Sequence, residues 1–226
     1  NGGRIVYTDG DGREVKDYLD HIGYLPQNFD VFPELTAYEV LQFFANLKGY
    51  KITEAEIDHL LEILNLSPQR DMTVKTLSGG MKRRLGIAQA LIGDPDVLLL
   101  DEPTAGLDPE ERLNFKNVIR RIKGDRCVVL STHIITDIES LCDRILVLCD
   151  GRITAFDSCG ALADVARGKV YAVESTADLA TPFHSMGPVT VDGKACEKII
   201  SKAPLNAPAL EPTVEDGYIC FIEKLS

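Results

Sequence analysis

The chain has 226 residues, of which 45% are hydrophobic, and a formal net charge of −11. This size fits one large domain, or one domain with a small appendage, and the negative charge without a basic block argues against nucleic acid as the main partner. No apolar run approaches the roughly 20 residues of a membrane helix, and the six cysteines show no C-x-x-C spacing, so we expect a cytosolic chain that meets a membrane only through a partner.

The first part of the chain predicts two short strands and then helices. The strands are expected over residues 4–8 and 21–25, which are apolar and end at turn residues. Three helical patterns follow, the first two with a capping box and the third with a serine cap; their capping residues are Thr36, Thr53 and Ser78.

From residue 94 the pattern changes to strands alternating with helices. Val97–Leu100 and Cys127–Leu130 are continuous apolar runs, which are typical of strands buried on both faces of a parallel sheet. Asp108 followed by Pro109 predicts a helix start between these strands. Asp150-Gly151 predicts a hairpin turn, and the weaker signals after residue 157 predict a small appendage over 158–226.

Two carboxylates, Asp101 and Glu102, come directly after the predicted strand at Val97–Leu100. Ligands bind at the carboxyl ends of strands in parallel α/β sheets. Asp101 can hold Mg²⁺ on a nucleotide, and Glu102 can orient or deprotonate an attacking water. Taken alone, the pair is explained about equally well by a strand that ends in solvated acids.

Two neighbouring features favour the phosphate chemistry. Ser78-Gly79-Gly80 opens a helix, and its uncovered amides with the helix dipole predict an anion site, although a serine-capped helix start is common. His133 follows the next strand, which should lie beside the strand that ends at Glu102. A lone histidine is more often an ordinary surface residue.

In this order and at these spacings, the motifs resemble those of the nucleotide-binding domain of ABC transporters. The resemblance covers about residues 1–155. It assigns the following motifs: residues 77–80 to the signature motif (LSGGQ), 97–102 to Walker B, 105–108 to the D-loop, His133 to the switch histidine and Gln27 to the Q-loop glutamine.

The resemblance implies a partial P-loop NTPase fold of the α/β class, with a mostly parallel sheet and an inserted all-helical subdomain. Residues 1–33 and 94–157 would form the partial ATPase core, and 34–93 the helical signature subdomain. Residues 158–226 would be a small α+β appendage.

The resemblance also implies ATP and Mg²⁺ as cofactors. Asp101 and Gln27 would serve Mg²⁺, and Glu102 would be the general base. His133 would hold the γ-phosphate and the water.

By the same resemblance, two such domains form a head-to-tail homodimer around two ATP molecules. Ser78, Gly79 and Gly80 would grip the γ-phosphate bound by the partner, and Asp108 would reach across the interface. The helical segment 34–93 would contact a transmembrane permease, with Gln27 as the hinge. The chain would then lie peripherally on the inner face of the cell membrane.

Two departures from the family pattern stand out. Met81 replaces the usual Gln, and the sequence Met-Lys-Arg-Arg resembles bacterial export-type subunits. The Walker A pattern G-x-x-x-x-G-K-S/T is absent, because Gly168-Lys169 and Gly193-Lys194 have neither the first glycine nor the following hydroxyl. We therefore expect that the chain starts inside the domain, after that loop, and that alone it binds ATP weakly and does not hydrolyse it.

Two alternatives stay open at this point. One is an ABC-family ATPase that is not a transporter, such as a translation or DNA-repair factor. The other is a non-catalytic regulatory module that has lost Walker A, although Asp101, Glu102, Gln27 and His133 are all kept. The transported substrate is not encoded in these motifs.

Overall fold

The computed structural model describes residues 6–8, 10–177, 179 and 181–224. The chain divides into two compact units, residues 1–133 (unit 1) and 134–226 (unit 2). The finer domain bounds expected from the sequence stay predictions.

Unit 1 combines a parallel sheet with helices, which confirms the predicted α/β class. In the described part of unit 1, three parallel strands pair in the order β1 (Ile22–Leu25), β2 (Val97–Asp101) and β3 (Cys127–Ser131). Gly23 lies opposite Leu98, and Leu98 opposite Val128. The elements of unit 1 in chain order are β1 (Ile22–Leu25), α1 (Ala37–Leu47), α2 (Glu54–Ile63), α3 (Gly79–Leu91), β2 (Val97–Asp101), α4 (Pro109–Lys123) and β3 (Cys127–Ser131).

The helices of unit 1 begin where the sequence predicts. In both capping boxes the threonine hydroxyl accepts from the amide three residues on, and the glutamate returns a bond to the threonine amide, as for Thr36 with Glu39. Asp108 caps α4, and Gly124 ends it with a φ of 42°. The predicted strand over 4–8 falls partly outside the described residues; Thr8 within it forms an isolated bridge to Glu14.

One face of the parallel sheet packs on α3. Leu25, Leu98 and Leu100 on this face are buried. At Gly23 a Cβ atom would stand 2.2 Å from the carbonyl oxygen of Ala90 in α3, so only glycine lets β1 approach the helix this closely.

Among the described residues, the opposite face of the sheet is partly open: β2 is partly buried there, and the prediction that β3 is buried on both faces is wrong. Tyr24, Leu99 and Val129 lie side by side across the three strands on this face. Tyr24 is 50% exposed and Val129 46% exposed. A continuous apolar run here therefore does not mean two-sided burial.

Unit 2 is built mainly from antiparallel strands and short helices. The predicted hairpin β4–β5 turns at Asp150 and Gly151, both with positive φ. A second sheet pairs in the order β6-β8-β7. The elements are α5 (Ile135–Leu141), β4 (Ile145–Cys149), β5 (Arg152–Phe156), α6 (Cys159–Ala163), β6 (Val170–Val173), β7 (Phe183–Val191), β8 (Lys194–Ser201) and α7 (Val214–Ile222).

A buried ion pair lies inside unit 2. Asp216, at the third position of α7, is fully buried and receives both the amide and the hydroxyl of Thr213. Its Oδ2 also lies 2.7 Å from Nζ of Lys198 on β8, so this pair joins the helix to the sheet. Within the described part of the chain, no helix is both long enough and apolar enough to span a membrane.

Candidate functional site at the carboxyl end of the parallel sheet

Asp101 ends β2, and Glu102 follows it at the same edge of the sheet where β3 ends in Ser131. The Ser131 hydroxyl donates to Oδ1 of Asp101 at 2.6 Å and accepts from the Glu102 amide at 3.0 Å. Ser131 therefore fixes both the first carboxylate and the backbone of the second. Sequence reasoning missed this serine, although its place two residues before His133 at a strand end was visible.

His133 and Glu102 form the central contact of the site. Nδ1 of His133 lies 2.9 Å from Oε1 of Glu102. A carboxylate only accepts, so with Glu102 ionised the Nδ1 atom carries the proton and donates it, which leaves Nε2 free to face a ligand. The Glu102 side chain is 19% exposed, whereas that of His133 is 75% exposed.

The second oxygen of Glu102 is notable because it is buried and unsatisfied. Oε2 has no hydrogen-bond partner among the residues that the structure describes. Buried carboxylate oxygens are nearly always paired, so an orphaned one at a sheet edge is the feature expected of a group that accepts from a bound water or ligand.

Glu102 also has an unusual backbone. Its φ is 44°, in the left-handed region that side chains other than glycine rarely adopt. The amide of Glu102 is held by Ser131, and its carbonyl accepts from the Arg83 guanidinium and from the Ala105 amide. Such conformations persist where surrounding contacts over-determine them, which is common at functional sites.

Gln27 is connected to this site through Arg83. The Gln27 carbonyl accepts from Nη1 of Arg83 at 2.6 Å, while Nε of the same guanidinium donates to the Pro103 carbonyl at 2.9 Å. The loop after β1 is thereby joined to the segment after β2. The predicted hinge residue thus lies at the same sheet edge as the two acids.

The start of α3 is occupied by a side chain from α4. Ser78 caps α3 as predicted, and Oε1 of Glu111 accepts from its hydroxyl at 2.8 Å and from the Gly80 amide at 3.1 Å. Glu111 is itself fixed by Asp108, whose Oδ1 accepts from the Glu111 amide at 2.8 Å. The predicted anion site therefore already holds an internal carboxylate in this chain, while Gly79 is exposed.

The acidic residues at this edge of the sheet suit an Mg²⁺ ion bound mainly by a nucleotide, rather than an ion coordinated by protein side chains alone. Among the described residues, no three histidine, cysteine or acidic side chains are grouped closely enough to hold a metal ion. Mg²⁺ on a nucleotide needs only one or two carboxylates together with waters and phosphate oxygens. Asp101, whose Oδ1 is held by the Ser131 hydroxyl, supplies one such carboxylate at the end of β2.

Comparison with known proteins finds a family that is similar to the first part of this chain. Residues 1–105 match the model of the ABC transporter family. The ATP-binding protein YhcH of Bacillus subtilis (strain 168), an uncharacterized ABC transporter protein, is 38% identical over 144 residues, or 62% of this chain and 47% of that protein. The matches support an ABC nucleotide-binding domain.

Two relatives of this domain in Mus musculus are much longer than the chain. The ABC-type organic anion transporter ABCA8B is 40% identical over 151 residues, which are 65% of this chain and 9% of that protein. The phospholipid-transporting ATPase ABCA3 is 42% identical over 134 residues, which are 58% of this chain and 8% of that protein. The chain thus spans about half of the bacterial relative and less than a tenth of these two.

Arg83 and Glu111 are the other residues around this site that sequence reasoning missed. Arg83 stands among three consecutive basic residues, a pattern that normally indicates an exposed face. Glu111 lies in the first turn of α4, where acidic residues are common whether or not they have a partner. Their tertiary partners lie about 19 to 57 residues away in the chain, so no local pattern identifies them.

Proposed function

We propose that this chain is part of the ATP-binding and ATP-hydrolysing subunit of an ABC transporter, in which nucleotide-driven dimerisation is coupled to transport. The observation that carries the proposal is the contact of His133 with Glu102, whose second oxygen is buried and unpaired. The family match and the relatives support it.

In this proposal Glu102 is the general base. Its Oε2 accepts a proton from the water that attacks the γ-phosphate, while Oε1 stays bonded to His133. His133 orients the carboxylate through Nδ1 and presents Nε2 to the phosphate. Asp101, held by Ser131, and Gln27 serve Mg²⁺, which when bound neutralises charge on the phosphate oxygens.

The proposed partners are a second copy of the nucleotide-binding subunit and a transmembrane permease. Ser78, Gly79 and Gly80 would grip the γ-phosphate held by the second copy, with Asp108 reaching across. Because Oε1 of Glu111 takes the Ser78 and Gly80 donors in the chain alone, an incoming phosphate has to displace this carboxylate. Export is the proposed direction, from the Met81-Lys-Arg-Arg sequence, and the proposed location is the inner face of the membrane.

The 226-residue chain by itself is proposed to bind MgATP weakly and to lack hydrolysis. Its sequence contains no G-x-x-x-x-G-K-S/T pattern, and the lysine and amide cradle of that loop supply the main contacts to the triphosphate. Calorimetric titration of the purified chain with MgATP should show no binding in the micromolar range. A micromolar Kd would overturn this part of the proposal.

The ATPase assignment is tested in the protein expressed from its own gene and isolated with its membranes. Glu102→Gln should abolish ATP hydrolysis and keep ATP binding, because the amide retains the shape but accepts no proton. Glu110→Gln, in the exposed first turn of α4, is the matched control and should hydrolyse ATP normally. Unchanged hydrolysis in Glu102→Gln would remove Glu102 from the base role.

A further inference from the structure

Arg83 is a buried cation that donates its hydrogen bonds to backbone carbonyls rather than to carboxylates. It lies on α3, one turn after Gly80, and the residue is only 8% exposed. Burial lowers the pKa of its guanidinium, and the negative charges of Asp101 and Glu102 act in the opposite direction. A guanidinium keeps its charge in proteins, so this interior position has to be compensated by hydrogen bonds.

The guanidinium binds two loops that are far apart in the sequence. Nη1 donates to the carbonyls of Pro26 at 3.1 Å and Gln27 at 2.6 Å, just after β1. Nε donates to the carbonyl of Pro103 at 2.9 Å, and Nη2 to that of Glu102, just after β2. The rigid fork of arginine can serve both loops at once, whereas the single ammonium of a lysine cannot.

The contact with Glu102 is the important one for function. The left-handed backbone of this residue is held on its amide by Ser131 and on its carbonyl by Arg83. Without Arg83, the carbonyl keeps only the Ala105 amide, and the strained conformation loses one of the contacts that maintain it.

We propose that Arg83 is a positioning residue that fixes the Gln27 loop and the Glu102 backbone relative to each other. The proposal rests on the proposed function for its catalytic consequence. The connection itself follows from the contacts of Arg83. A displacement of the Gln27 loop is then transmitted through one guanidinium to the residue that carries the general base.

The connection is tested by ¹⁵N relaxation on the 226-residue chain. In Arg83→Gln, the backbone order parameters of Gln27 and Ala105 should both fall, from about 0.85, typical of rigid backbone, to below about 0.6. Arg84→Gln is the matched control, because the neighbouring Arg84 donates to the carbonyls of Leu64 and Asn65, both at 3.0 Å. It should leave Gln27 and Ala105 rigid.

The conservative variant keeps the test decisive if Arg83→Gln does not fold. Arg83→Lys retains the charge but lacks the fork, so the order parameters of Gln27 and Ala105 should again fall together, by less than in Arg83→Gln. A fall at only one of the two residues, an equal fall in Arg84→Gln, or wild-type values in Arg83→Lys would overturn the proposal.

The catalytic consequence is measured in the protein expressed from its own gene. Arg83→Lys should lower kcat for ATP hydrolysis about tenfold, the loss expected from one charge-assisted hydrogen bond, and leave KM within about twofold. A raised KM at unchanged kcat would contradict a positioning role. If the wild-type protein does not hydrolyse ATP, the proposed function fails, while the order parameters still decide whether Arg83 connects the two loops.

Discussion

The left-handed backbone of Glu102 should cost unit 1 measurable stability. An L-amino acid in this region is disfavoured by about 1–2 kcal/mol relative to its usual conformations, whereas glycine carries no such penalty. Comparing Glu102→Gly with Glu102→Ala isolates this cost, because both variants remove the carboxylate, its bond to His133 and the unsatisfied Oε2. With a φ of 44° at this position, we expect the glycine variant to be more stable by about 1 kcal/mol.

The assay should report on unit 1 alone, because the chain has two compact units. Amide exchange of Leu98 and Leu100, which are buried in β2, measures the unfolding of that unit. A difference of about 1 kcal/mol corresponds to roughly fivefold slower exchange in Glu102→Gly than in Glu102→Ala.

A matched pair on α4 supplies the opposite sign. Asn114 is exposed in the middle of this helix, and there alanine should be more stable than glycine by about 0.8–1 kcal/mol. If alanine is also the more stable residue at position 102, the positive φ stores no strain, and the argument that Ser131 and Arg83 hold a disfavoured conformation is refuted.

Two further predictions concern stability. Lys198→Met leaves the fully buried Asp216 without its cation, so urea unfolding should show a free energy of unfolding of unit 2 that is lower by about 3 kcal/mol. Lys194→Met is the control and should change this free energy little, because its partner Glu174 is exposed. Equal effects of the two variants would contradict the argument from burial. Hydrogen bonds from the Thr36 amide and hydroxyl lower the pKa of Glu39, so its contribution is present above the ordinary value of 4.5 and is lost as pH falls through the lower folded value. Glu39→Gln should therefore lose less stability than wild type in urea unfolding between about pH 6 and about pH 3, and identical losses would show that the capping box does not shift this pKa.

Local signals predicted most of unit 1. Capping residues and strand-sized apolar runs act over a few neighbours, so α1 to α4 and β1 to β3 lie where the sequence predicts. Two-sided burial of β3 was predicted wrongly, because composition reports that a strand is apolar but not how many layers cover it. Val129 is apolar and yet half-exposed.

The β7–β8 hairpin in unit 2 was missed although its turn is encoded as clearly as that of β4–β5. Asp192-Gly193 is the same dipeptide as Asp150-Gly151, and both of its residues have positive φ. The strand before it is interrupted by a bulge between Ser185 and Gly187, which shifts the alternation of side chains. An irregular strand loses the period-two pattern by which strands are recognised.

The candidate site was predicted in its acids and its histidine but not in the residues that hold them. Asp101, Glu102 and His133 follow strands, and strand ends are visible in a sequence. Their roles stay predictions. Arg83 connects loops that no sequence pattern relates, and a buried arginine bound to carbonyls has the same local sequence as an exposed one.

The open face of the parallel sheet affects how the chain behaves in solution. Tyr24 and Val129 on this face are about half-exposed, with the partly buried Leu99 between them, and within the described residues β1 and β3 each have one free edge. Apolar rows next to unpaired strand edges favour self-association. Relaxation and amide-exchange measurements should therefore be repeated at several protein concentrations. Only values that do not change on dilution describe the monomeric chain.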